Sequence, residues 1–318
     1  MGVEAVAPEI QHYLRTLAVA DQPSLSSQDP VTARASAAAE FARQWGTRAP
    51  DLHVENLLFA ASHGHVRVRR YDPGVVAPSP AVVFAHGGGW VLGDLETHDG
   101  LCRSLADDAG AVVLAVDYRR APEQPFPAAV EDVSAAVVWA FEQAQVLGVD
   151  ASSISVAGDS AGGNLTAVAV AEAVARGLPV ASQVLIYPVT DTRTDTDSYL
   201  ANGQGLLLSR EDMVWFFGHY LQSAAHRDDP RAAPLRGSLP TGVPTYVTTC
   251  AHDPLRDEGV AYVAALRAAG GHVVHDDWPG MIHGFVTMRT ITPAADALRR
   301  RVVTFLLRSW GRAAEPAP

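Results

Sequence analysis

Apolar positions at the start of the chain recur at helical spacing. Within residues 4–20, Ile10, Tyr13, Leu14 and Leu17 fall near one helical face. Asp29-Pro30 reads as an N-cap followed by a first-turn proline, and the helix it opens is expected to run to about Trp45. Between 54 and 71 the period shortens to alternation, as in Val66-Arg67-Val68-Arg69, with His63-Gly64 as the turn of a hairpin. Residues 81–85 are continuously apolar, the pattern of a central strand buried on both faces. Helices and strands then alternate: a helix near 100–109, a strand at 111–116, a helix from 128 to about 147, a strand at 153–157, a helix at 164–176 and a strand at 182–187. Strands separated by helices of this length need crossover connections. The fold class is therefore α/β, a mostly parallel central sheet with helices on both faces.

The rhythm breaks at Pro188. Residues 190–210 are polar and rich in threonine and aspartate. An aromatic helix follows, with Met213, Val214, Trp215, Phe216, Phe217 and Tyr220, and then a proline-punctuated stretch at 227–244. The alternation resumes with a strand at 243–250, a helix at 258–269, a strand at 272–278 and a helix at 294–310, ahead of a frayed tail at 313–318. The expected organisation is N-terminal cap helices over 1–50, a first part of the core over 51–189, a cap insertion over 190–235 and the rest of the core over 236–318.

Composition narrows the function. The chain has 318 residues, 48% of them hydrophobic, enough for a sizeable core. A net charge of −11 with no basic cluster argues against nucleic acid and anionic membrane surfaces as partners. Two cysteines, Cys102 and Cys250, make no disulfide framework and read as small buried hydrophobes. No metal-ligand spacing, signal peptide or apolar run of membrane-spanning length stands out, so a cytoplasmic protein with no metal or other cofactor is expected.

The candidate chemistry centres on Gly158-Asp159-Ser160-Ala161-Gly162, between the 153–157 strand and the helix after it. A serine between spaced glycines at a strand-to-helix corner is the pattern of a nucleophile elbow: the glycines remove side chains that would collide across the turn. The following helix aims free N–H groups at whatever the serine attacks. A serine nucleophile needs a base, and the base an orienting acid. Asp253 lies just past the 243–250 strand. Asp257 is a competing acid, better explained as a helix cap. Of the later histidines, His272 and His275 sit within a strand pattern. His283, in Gly280-Met281-Ile282-His283-Gly284-Phe285, occupies a glycine-flanked loop suited to a proton-relaying imidazole. His252 is next to the acid but poorly placed to turn toward the serine. His86-Gly87-Gly88-Gly89-Trp90 directly follows the 81–85 strand. Its consecutive glycines let main-chain N–H groups of Gly88 and Gly89 approach a reacting oxyanion, with the N–H of Ala161 as a third donor.

These motifs, with Asp117-Tyr118-Arg119-Arg120-Ala121-Pro122-Glu123 and Asp253-Pro254-Leu255-Arg256-Asp257-Glu258, resemble those of bacterial carboxylesterases of the hormone-sensitive-lipase-like family, within the α/β-hydrolases. The match preserves motif order over nearly the whole chain. Arg120 stands where the family usually has leucine. The resemblance implies an α/β-hydrolase fold with a helical cap, a triad of Ser160, Asp253 and His283, and an oxyanion hole of Gly88, Gly89 and Ala161. It also implies substrate contacts from Trp90, Leu206, Met213, Trp215 and Phe216. Asp117 is expected to tie loops together by hydrogen bonds. The activity implied is hydrolysis of short-chain acyl esters, small-molecule substrates, through an acyl-enzyme, and a homodimer through sheet edges is a further expectation. An amidase or a deacetylase of one metabolite would use the same triad. Plant hormone receptors of the same resemblance bind without hydrolysing, but they lack the histidine that His283 supplies here.

Overall fold

The computed structural model describes residues 5–20, 23–46 and 50–312, so the expected tail at 313–318 lies outside the described residues. The chain opens with α1 (Pro8–Val19), which buries Ile10 and Tyr13. After a single 3₁₀ turn comes α2 (Pro30–Trp45). Asp29 caps α2 by accepting hydrogen bonds from the N–H groups of Val31 and Thr32 at 3.0 and 3.1 Å. Arg34 fastens α2 to the body. Its guanidinium donates to the carbonyls of Val91 and Ala121, both at 2.8 Å, and pairs with Glu123 at 2.6 Å. That hydrogen bond holds the Glu123 carboxyl down at about 2.

Strands β1 (His53–Ala61) and β2 (Gly64–Asp72) form the expected hairpin, with Ala61 opposite Gly64. The core then runs β3 (Ser79–Ala85), α3 (Asp99–Ala109), β4 (Val112–Asp117), α4 (Ala128–Glu142), β5 (Val149–Asp159), α5 (Ala161–Ala175) and β6 (Ser182–Ile186). The insertion carries α6 (Asp197–Asn202), α7 (Arg210–Tyr220) and α8 (Ala224–Asp228). The sheet is completed by β7 (Thr245–His252), α9 (Arg256–Ala268), β8 (Val273–Ile282) and α10 (Ala294–Ser309). The eight strands lie in the order β1-β2-β4-β3-β5-β6-β7-β8. Pairings of β2 with β1 and β4 are antiparallel, and all others are parallel.

Strand β3 shows why its sequence is unbroken in hydrophobicity. Side chains alternate between faces of a sheet. Ala81, Val83 and Ala85 join a core cluster with Val133 and Val137 of α4 and Leu165 and Ala169 of α5. Val82 and Phe84 join the opposite cluster, with Leu101 and Leu105 of α3 and Leu298 and Val302 of α10. Both faces are covered, so both sets are apolar. Burying each such valine or leucine contributes about 1.5–3 kcal/mol.

Four boundaries differ from the sequence reading. Helix α4 stops at Glu142; the apolar Val146-Leu147 belongs to turns that close through Gly148 at φ +66°. Strand β5 begins at Val149, four residues early, because Val149 pairs with Ser79 of β3 ahead of a register shift, within which the Asp150 carboxylate accepts from Ser152 and Ser153. Helix α5 begins at Ala161, directly after the elbow. Strand β8 continues through Pro279-Gly280: past an irregularity in the ladder, Ile282 pairs with His252. Asp117, expected to tie loops, instead bonds Arg67, its register partner across β2 and β4. Cys102 and Cys250 are both free and buried. Among the described residues no helix is long and apolar enough to cross a membrane.

Candidate active site

Three sheet connections converge where β5 hands over to α5. Ser160 sits at the corner with φ +55°, a left-handed conformation rare outside glycine. Its N–H donates to the Ile186 carbonyl at 2.8 Å, which pins the turn to the end of β6. The corner is too tight for a side chain at Gly162, where a Cβ would lie 2.0 Å from the Ala85 carbonyl oxygen. The strain at Ser160 projects its hydroxyl out of the turn.

His283 follows β8 immediately. Its Nε2 lies 2.8 Å from Ser160 Oγ and its Nδ1 lies 2.8 Å from Asp253 Oδ2. A carboxylate can only accept, so Nδ1 carries the proton and Nε2 is left to accept from the serine hydroxyl. Asp253, one residue beyond β7, is fully buried, and its Oδ1 accepts the Leu255 N–H at 2.8 Å. The acid loop is braced from α6: Ser198 Oγ donates to the Pro254 carbonyl at 2.6 Å, and Asn202 reaches the Asp253 carbonyl at 3.4 Å. Asp257 does not cap its own helix α9. Its carboxylate accepts the Ser198 N–H at 2.8 Å and so caps the first turn of α6. His275 bonds Thr249 at 2.9 Å across β7 and β8, away from the serine. The His283 ring leans on Tyr187, centroids 4.6 Å apart.

The glycines after β3 fold back tightly, with the Gly88 carbonyl accepting from Val91 and Leu92 at 3.1 and 2.7 Å. Gly88 holds φ +121°, which a side chain would oppose. Among the described residues, the N–H groups of Gly88, Gly89 and Ala161 have no protein acceptor. Three donors are thus left free beside a serine hydroxyl.

Ser160, His283, Gly88 and Gly89 line one cavity of about 220 Å³. Met213 and Phe216 of α7 form part of its wall. Trp90, Leu206 and Trp215 are not among its lining residues. Trp90 is fully buried and stacks on Tyr220 at 4.4 Å, almost parallel. Leu206 packs toward the cluster behind β8, and Leu207 and Leu208 take the wall instead. Trp215 lies off the inward face of α7, which Met213, Phe216, Phe217 and Tyr220 fill at i, i+3, i+4 and i+7; it packs edge-on against His219. That spacing was available in the sequence. The N-terminal segment supplies further wall through residues that the sequence reading did not single out: Leu25, Ala37, Glu40, Phe41 and Gln44 all face the cavity. Among the described residues three carboxylates line it, Glu40, Asp159 and Asp212, and no arginine or lysine does. Among the described residues no group of three or more histidines, cysteines or carboxylates is placed to hold a metal ion.

Comparison with known proteins gives the family and the fold. A sequence profile of the alpha/beta hydrolase fold matches residues 82–287. The chain is similar to a protein of Mycobacterium tuberculosis named carboxylic ester hydrolase LipN, 44% identical over 75% of this chain and 66% of that protein. It is likewise similar to an ethyl acetate hydrolase of Pseudomonas putida, 40% identical over 76% of this chain and 79% of that one. Among solved structures, a hyperthermophilic esterase from the archaeon Pyrobaculum calidifontis superposes with a TM-score of 0.90 at 36% identity, covering 97% of this chain and 100% of its own.

Proposed function

Because the chain belongs to the alpha/beta hydrolase fold family, we propose that it is a serine carboxylesterase acting on small-molecule esters of short acyl chains. The observation that carries this reading is the unbroken relay Asp253–His283–Ser160, two contacts of 2.8 Å, beside three unengaged amide N–H groups. In the reaction, His283 Nε2 takes the proton as Ser160 Oγ attacks the ester carbonyl. The carbonyl oxygen becomes an oxyanion that the N–H groups of Gly88, Gly89 and Ala161 hold. Asp253 orients the ring and favours the imidazolium. The imidazolium then protonates the departing alcohol, leaving an acyl group on Ser160. Water, activated by the same imidazole, releases the acid. In this reading α2 and α7 act together as the cap, and their side chains, Phe41 and Phe216 among them, limit the room for substrate.

The cavity sets two expectations. Across p-nitrophenyl esters of increasing acyl length, kcat/KM should be highest for acetate to hexanoate. It should fall about ten- to a hundredfold by dodecanoate, since overfilling a packed wall costs about 1–3 kcal/mol. A rate that rises steadily to dodecanoate would contradict the short-chain assignment. The carboxylate-lined wall without a cation should also reject negative charge. A p-nitrophenyl hemisuccinate should be hydrolysed more slowly than the butyrate by roughly tenfold or more, the scale of like charges several ångströms apart at partial burial. Equal rates would show that the charged end does not enter.

A further inference from the structure

The relay described above leaves a buried histidine–carboxylate contact unused. Asp159 directly precedes the nucleophile, is 4% exposed, and engages the glycine loop after β3 with its carboxylate. Its Oδ1 accepts the N–H of Gly87 at 2.8 Å. The approach is so close that a Cβ on Gly87 would lie 2.3 Å from Asp159 Oδ2. Gly87 is the residue immediately before the two whose N–H groups are the proposed oxyanion donors. Whatever fixes the Gly87 peptide therefore fixes the direction of those donors.

A second side chain reaches the same carboxylate. His98, the residue before α3, is 2% exposed, and its Nε2 lies 3.2 Å from Asp159 Oδ1. The ring is held on all sides. Phe41 of α2 and Phe84 of β3 lie 5.3 and 6.2 Å away, and His86 lies at 5.5 Å. Its other nitrogen is 3.0 Å from Thr97 Oγ1, in a turn closed by Asp94, whose Oδ1 accepts the N–H groups of Glu96 and Thr97. The remaining ionisable neighbours do not compete for Asp159. Burial pushes the His86 imidazole down to about 3, so it is neutral, and its Nδ1 donates to the Gly87 carbonyl at 2.8 Å. Tyr118 donates to the His86 carbonyl at 2.8 Å, and the Arg120 guanidinium donates to the Gly93 carbonyl. Burial raises the Asp159 carboxyl, but His98 and the Gly87 N–H outweigh it and leave the group below the ordinary range. Asp159 is thus a carboxylate under the active site, and His98 is its only ring partner among the described residues.

We propose that His98 is a positioning residue for acyl transfer: by holding Asp159 it keeps the Gly87 peptide, and with it the Gly88 and Gly89 N–H donors, aimed at the oxyanion. The inference rests on the serine esterase reading. Without His98 a buried carboxylate loses its partner. It must then take up a proton, which weakens it as an acceptor for the Gly87 N–H, or swing into the cavity it already lines, which releases that N–H. Displacements of about 1 Å in such a site cost on the order of a hundredfold in rate.

The test compares His98→Leu with His98→Gln, whose side-chain amide can still donate to Asp159. Each is assayed for kcat and KM on p-nitrophenyl acetate. Each is also assayed for inhibition by a trifluoromethyl ketone, which adds to the serine as a tetrahedral oxyanion, and by a simple alcohol, which occupies the cavity without reacting. For His98→Leu, kcat should fall about ten- to a hundredfold with KM changed less than about threefold. Trifluoromethyl ketone affinity should weaken in proportion, while alcohol inhibition stays the same. His98→Gln should recover most of both losses. A kcat within about twofold of the parent, a fall in kcat without a parallel loss of ketone affinity, or equal damage in the two variants would overturn the proposal. If His98→Leu does not fold, His98→Ala takes its place under the same criteria. Failure of the esterase reading would look different, since the parent enzyme would then neither hydrolyse the acetate nor bind the ketone.

Discussion

Replacing Ser160 with alanine is expected to lower kcat for p-nitrophenyl acetate by about 10⁵- to 10⁶-fold, the scale seen when the nucleophile of such a triad is removed. The loss is large because nothing else at the site can form the covalent intermediate. The imidazole of His283 is 2.8 Å from the hydroxyl and has no second nucleophile within the relay. Residual hydrolysis over water should survive, because the three amide donors and the cavity still bind the ester and stabilise its oxyanion. The fold should be unaffected. The backbone contact that pins the corner, Ser160 N–H to the Ile186 carbonyl at 2.8 Å, does not involve the side chain, and alanine carries the same Cβ at φ +55°. Circular dichroism and the melting temperature should match the parent. Near-normal turnover by this variant would mean that the serine is not the nucleophile.

A change of one methyl group two residues later should do the opposite, sparing the chemistry's atoms and breaking the frame. In Gly162→Ala the new Cβ would lie 2.0 Å from the carbonyl oxygen of Ala85 and 2.6 Å from its carbon. Those atoms end β3, the central strand, so neither side can yield without moving the sheet or the first turn of α5. Overpacking in a fixed frame costs about 1–3 kcal/mol, and a backbone-to-Cβ overlap of this depth belongs at or above the top of that range. The expected result is a loss of about 3 kcal/mol or more, read by urea unfolding, with poor soluble yield. Gly218→Ala is the matched control. That glycine lies within α7, and a Cβ there meets nothing within 4 Å. It should be neutral or stabilise by up to about 1 kcal/mol, because alanine is the better helix former. Equal stability of the two variants would refute the steric account of the elbow.

The parts of the molecule legible in the sequence are those encoded locally. The 81–85 run predicts a doubly covered strand because both its faces are buried, and β3 is one. Asp29-Pro30 predicts the start of α2 because cap and first-turn proline act within a few residues. The alternation of strands and helices predicts a mostly parallel α/β sheet, the motifs add the resemblance that implies the α/β-hydrolase architecture, and the residues singled out for a relay, Ser160, Asp253 and His283, lie in one hydrogen-bonded line. What stayed hidden depends on contacts distant in sequence. Pro279-Gly280 reads as a break, yet β8 runs through it because β7 supplies a partner on the far side, at His252. Glu40, Phe41 and Gln44 reach the cavity because contacts distant in sequence hold α2, Arg34 on the Val91 and Ala121 carbonyls and Thr287 on Gln44 among them. The resemblance points to Trp90 and Trp215 as substrate contacts, but motif position does not say which way a ring points. The stack on Tyr220 and the helical face of α7 decide that. The pairing of His98 with Asp159 joins residues 61 apart.

The central claim is that the Ser160 hydroxyl, activated by His283, attacks the ester carbonyl. The most direct measurement is labelling with a fluorophosphonate, followed by mass spectrometry of the digested protein. The account predicts one phosphonyl group per chain, on the peptide containing Ser160, with hydrolysis lost in step with labelling and no label in Ser160→Ala. A modified residue elsewhere, or full hydrolysis by a chain whose Ser160 is completely blocked, would contradict it.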